Sequence, residues 1–99
     1  MSGTWSVSGL IGPSGGINGV TWSPTCVFQQ AGDRLAGTCR GPAGVGPAAG
    51  AVSGAVVTFQ WQYTPGGPIF SGVAGPDGVI RGSVTFDGRT GTFTAARAP

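Results

Sequence analysis

Any chemistry in this chain has to come from a short set of side chains. Histidine, lysine and glutamate are absent, the acids are Asp33, Asp77 and Asp87, and all the bases are arginines. Cys26, Cys39, Tyr63 and scattered Ser, Thr and Gln complete the set. General acid–base work needs a group that titrates near the working pH, and a nucleophile needs a base beside it. Neither arrangement can be assembled here. Each aspartate stands in a tight turn next to glycine or arginine, where local hydrogen bonds to the backbone account for it. No cluster has metal-ligand spacing, so neither metal nor cofactor is expected. An enzyme made from this set would have to work by orienting its substrate, with Tyr63, Ser or Gln as the only polar help.

The cysteines offer oxidation to a disulfide. They lie in residues 20–41, VTWSPTCVFQQAGDRLAGTCRG, which read as a β-hairpin. With Gly32-Asp33 as a two-residue turn, Ala31 faces Arg34. Counting outward pairs Gln30 with Leu35, Phe28 with Gly37, and Cys26 with Cys39. Opposed Cβ atoms in such a pair are close enough for a cross-strand disulfide. Without a C-x-x-C spacing the pair reads as a structural staple, not a redox couple. Closing the loop would stabilise by about 3 kcal/mol in the chain-entropy model. Matched cysteines in a small domain point to an oxidising compartment, secreted or periplasmic, although two thiols in a cytosolic protein would fit the same sequence. The register also sorts the hairpin. Val20, Trp22, Cys26, Phe28, Leu35 and Cys39 share one face, and polar residues fill the other.

The elements that position these groups are short strands. Ninety-nine residues make one domain, 1–99, with room for a single core. Gly and Pro supply 29 of the 99 residues, a level often associated with disorder, yet Leu, Ile, Val and Phe still number 21 and alternate between turn signals. A net charge of +2 from scattered arginines is too weak for a nucleic-acid surface. No run is long enough for a membrane span, and no signal peptide precedes Gly3.

Residues 4–11 form the first strand, followed by a glycine-rich loop over 12–19 and the stapled hairpin, with Pro24 as a bulge or break in its first strand. Residues 41–49 read as a long loop running into a short fourth strand of small residues. Residues 55–63 and 68–75 are the next strands, separated by a turn over 64–67. Gly75-Pro76-Asp77-Gly78 fits a hairpin with the three-residue loop Pro76-Asp77-Gly78, and Asp87-Gly88 is a second hairpin signal. These turns place Phe70 opposite Val84, Gly72 opposite Gly82, Gly82 opposite Phe93, and Ile80 opposite Ala95.

All nine aromatics land on one face in these registers. Short hairpin-linked strands with one apolar face protect their edges best by closing. The expected fold is therefore all-β, an eight-stranded antiparallel up-and-down barrel with one hairpin disulfide, and an open two-sheet sandwich is the alternative. The two long loops, 12–19 and 41–49, would share one end and form a mouth. Trp22, Trp61, Tyr63, Phe70 and Phe86 would wall a pocket beneath them, with Tyr63 and Gln30 as polar contacts. An eight-stranded barrel can be filled by side chains or hold one small ligand, and the nine aromatics and the face's many glycines pull in opposite directions.

Gly3-Thr4-Trp5 on the first strand and Arg97 on the last resemble the signature of the calycin barrels: lipocalins, fatty-acid-binding proteins, avidins and the bacterial metalloprotease inhibitors of lipocalin-like fold. The resemblance implies that Trp5 plugs the closed end and Arg97 packs across its face, a cation–π arrangement. It also implies a binding module, here for an apolar or aromatic small molecule and without catalysis. The alternatives are an interaction protein, such as a protease inhibitor acting through its loops, and a barrel cyclase working by substrate shape. Homo-oligomerisation is left open.

Overall fold

Apolar and polar residues alternate along nearly the whole chain, and the backbone follows that alternation into nine strands. The computed structural model describes residues 1–12 and 19–98. The strands are β1 (Gly3–Ile11), β2 (Val20–Trp22), β3 (Thr25–Ala31), β4 (Arg34–Gly41), β5 (Gly44–Ser53), β6 (Val56–Trp61), β7 (Ile69–Ala74), β8 (Ile80–Phe86) and β9 (Arg89–Arg97). Each pairs antiparallel with its neighbour, and β9 pairs back onto β1, so the sheet closes. β2 and β3 both pair with β1 and form one stave, which makes a barrel of eight. The interruption falls around Pro24, which has no N–H for the ladder; its carbonyl instead accepts from the Val7 amide at 3.0 Å. Among the described residues no helix is long and apolar enough to cross a membrane.

The expected registers hold. Cys26 opposes Cys39, Phe28 opposes Gly37 and Gln30 opposes Leu35. Phe70 opposes Val84, Gly72 opposes Gly82, and Phe93 opposes Gly82. Cys26 and Cys39 are disulfide-bonded and fully buried, with their Cα atoms 4.0 Å apart. Seven aromatics are buried, while Tyr63 and Phe86 are half-buried against the same core.

A repeated contact shapes that core: a ring lies across from a glycine. Phe28 faces Gly37, Phe59 faces Gly50, and Phe93 faces both Gly82 and Gly9. A Cβ at Gly37 would overlap the Val27 carbonyl oxygen, and one at Gly50 the Thr58 carbonyl oxygen. Neighbouring backbones thus approach at these points more closely than a side chain would permit, and the missing Cβ leaves space for the facing ring.

One element differs from the sequence expectation. Residues 41–49 are not a long loop. Gly41 pairs with Gly44 across the two-residue turn Pro42-Ala43, and β5 then runs through Ser53 beside both β4 and β6. The glycines that suggest a loop are close-approach residues: a Cβ at Gly46 would overlap the Gln62 carbonyl oxygen. Pro47 is tolerated because its side of the ladder toward β6 lies just beyond that strand's last residue, where its carbonyl accepts from the Gln62 amide at 2.8 Å. The glycine-rich loop expected over 12–19 falls mostly outside the described residues.

Candidate functional site

β6 brings Phe59 and Trp61 inward, and the chain keeps this alternation for one more step after the strand ends. The Gln62 amide remains bonded to Pro47, so Tyr63 lands on the inner side, over Gly44. Its ring is seated close enough that a Cβ on Gly44 would lie 3.4 Å from the Tyr63 Cβ. From the other side of the barrel Trp22, the last residue of β2, donates its indole Nε1–H to the Tyr63 hydroxyl at 3.1 Å. Tyr63 and Trp61 meet edge to face with ring centroids 4.6 Å apart. Trp22 meets Phe86 at 5.3 Å and Phe70 at 6.5 Å, again edge to face.

The structure thus brings together Trp22, Trp61, Tyr63, Phe70 and Phe86, the five expected wall residues. The rings occupy the space beneath the mouth themselves. Below them Phe70 stacks on Phe59 at 4.8 Å, and Phe59 meets Phe28 at 5.0 Å, so ring contacts run on into the barrel. One polar atom in the cluster stands out. Trp61 is completely buried, and its indole Nε1–H has no hydrogen-bond partner among the described residues. Leaving such a donor unpaired costs on the order of 1–3 kcal/mol. Two fully buried prolines complete this end, Pro24, expected from the sequence only as a strand break, and Pro68, which the sequence reading did not single out. Pro68 accepts the Trp61 amide at 3.0 Å, and only its place just before a strand marks it in the sequence.

Gln30 is not part of this cluster. It faces inward, as its register requires, but at the opposite end, two residues before the Gly32-Asp33 turn. Its Oε1 accepts from the Met1 ammonium at 2.6 Å and its Nε2 donates to the Gly32 carbonyl at 2.9 Å.

That opposite end is built around Trp5. Arg97 lies directly across the β1–β9 pairing, with its guanidinium carbon 4.9 Å from the indole centroid. Arg97 Nη1 donates to the Ser2 carbonyl at 2.8 Å, and Trp5 Nε1 donates to the Met1 carbonyl at 2.9 Å. Beside them is a groove of about 450 Å³, floored by Met1, Trp5 and Ala74 and rimmed by Val79, Ala96 and Arg97. Asp77 stands on its far rim, paired with Arg81 at 2.9 Å. The hydrogen bond from Arg81, joined by one from the Val79 amide, lowers the Asp77 pKa from 3.8 to about 2. Two further depressions lie on the outer wall, one across β4 and β5 and one across β3 and β4. None of the three is lined by the mouth aromatics.

Among the described residues, no group of three or more His, Cys, Asp or Glu could hold a metal ion. The chain matches no protein-family model, and searches of curated proteins and of solved structures give no match.

Proposed function

We propose that the protein is a non-catalytic binding module of the calycin type, which takes an apolar or aromatic small molecule at the mouth end in place of the Tyr63 ring. The observation that carries this reading is the buried Trp61 indole N–H, which has no partner among the described residues and touches a tyrosine that is itself only half-buried. Tyr63 sits beyond the last residue of β6, and among the described residues one side-chain hydrogen bond, from Trp22, reaches its hydroxyl. Rotating it outward would free the Trp22 donor. A ligand ring with a hydrogen-bond acceptor could then use two indole donors in an otherwise apolar setting, the usual composition of small-molecule sites. The Trp5–Arg97 stack supports the calycin assignment, and the buried disulfide fits a secreted or periplasmic protein.

The test is a titration with a fluorescent hydrophobe, read by tryptophan quenching, on the wild type and on Tyr63→Ala. If Tyr63 occupies the ligand's place, the variant binds more tightly, because no internal ring has to be displaced. Weaker binding by a folded Tyr63→Ala would overturn this reading.

A second reading, an interaction protein, is favoured by the outer wall. Val56 and Val73 oppose each other there, 47% and 53% exposed, with Ile69 also exposed on β7. That reading requires no change at Tyr63, and the same titration separates the two.

A further inference from the structure

We infer that the groove beside Trp5 is a second binding site, for a small organic carboxylate with an apolar body. The recognition element is Arg97. Its stack on Trp5 and the bond from Nη1 to the Ser2 carbonyl fix the guanidinium plane. The remaining nitrogens, Nε and Nη2, have no partner among the described residues, and Arg97 is exposed. A guanidinium held in place with free donors matches the geometry of a carboxylate, and little side-chain freedom is lost when the anion arrives.

The groove's other groups fit the rest of such a ligand. Met1, Ala74, Val79 and Ala96 present apolar surface next to the indole. The one acid on the rim does not cancel Arg97. Asp77 is already engaged by Arg81, at 2.9 and 3.3 Å, and by the Val79 amide at 3.1 Å. Asp77, Arg81 and Arg97 together therefore leave one uncompensated positive charge, and it sits where the apolar floor begins. A volume of about 450 Å³ is in the range of small-molecule sites. This site is at the far end of the barrel from Tyr63, so it stands whether or not the mouth binds a ligand.

The experiment follows the indole and backbone N–H resonances of the whole chain during titration with 3-phenylpropanoate and, separately, with its neutral amide. The acid should shift the Trp5 indole and the amides of Gly78, Val79 and Ala96, leave the Trp22 indole in place, and bind at least about ten-fold more tightly than the amide, since the charge-assisted pair is lost in the latter. Arg97→Gln should erase that preference. Because Arg97 also braces Trp5, a second variant keeps the test decisive. Ala96→Phe adds a ring at a groove-lining position and keeps the Arg97 side chain; it should weaken the shifts, with an unchanged Trp5 indole resonance in the free variant showing that the Trp5–Arg97 stack is intact. Equal binding of acid and amide, absence of Trp5 shifts at millimolar ligand, or shifts undiminished in Ala96→Phe would each overturn the inference.

Discussion

Tryptophans stand near both ends of the barrel, and their surroundings differ. At one end the Trp5 N–H has a backbone acceptor, its face has a guanidinium, and that guanidinium is bonded to the Ser2 carbonyl. At the other end the Trp22 N–H depends on a single phenol on a residue beyond the end of its strand, and the Trp61 N–H has no partner among the described residues. The first end is cross-braced through the pairing of the first and last strands. The second is filled but loosely tied. The contrast teaches that burying an aromatic ring and satisfying its polar atom are separate achievements: Trp61 is completely buried, yet its N–H has no partner among the described residues.

The largest expected effect is at the braced end. Trp5→Ala removes a buried indole together with the support for Arg97, and should destabilise by about 3–5 kcal/mol in chemical denaturation, as large core truncations do. A neutral result would erase the contrast between the two ends. A smaller effect is expected at the mouth. Tyr63→Phe keeps the ring and strips the acceptor from the Trp22 N–H, costing about 1–3 kcal/mol if that donor stays dry and less if water reaches it. A loss as large as that of Trp5→Ala would show that the mouth is as firmly built as the other end.

The smallest effect is electrostatic and belongs to the braced end alone. The folded-state pKa of Asp77 is about 2, below its ordinary 3.8. A lowered acid stabilises the fold above its unfolded value, and the contribution is lost as pH falls through the folded one. Melting temperatures should therefore drop between about pH 4 and pH 2 in the wild type and drop less in Asp77→Asn. The pair is solvent-exposed, so the difference should be small and should shrink further in high salt.

Much of this architecture is legible in the sequence because turns fix registers. Gly32-Asp33, Pro76-Asp77-Gly78 and Asp87-Gly88 each set the faces of two strands, and the faces agree with one another. Cys26 against Cys39 and Trp5 beside Arg97 are readable for the same reason. β5 is not, because glycine serves two purposes. In GVGPAAG it permits the close approach of the next strand's backbone, and composition alone cannot tell that from a loop. Gln30 is a different case. Its end is in fact readable, since it stands beside the Gly32-Asp33 turn and so opposite the two expected loops; what the sequence does not show is that Met1 reaches it by a contact across 29 residues. The Trp61 donor is invisible for a simpler reason, since periodicity locates rings and says nothing of their N–H groups.

The closure of the barrel has a kinetic consequence. The hairpin pairings from β3 to β9 join consecutive strands through short turns, and can zip from any of them without a long search. The β1–β3 pairing spans more of the chain, and the β1–β9 seam spans the most, with Trp5 registered against Arg97 almost the whole chain away. Bringing those strands together requires a chain closure that local pairing does not supply, and non-local pairing of this sort slows folding. The seam should therefore govern the folding rate. A tether between the first and last strands should speed folding far more than an equal tether across any hairpin.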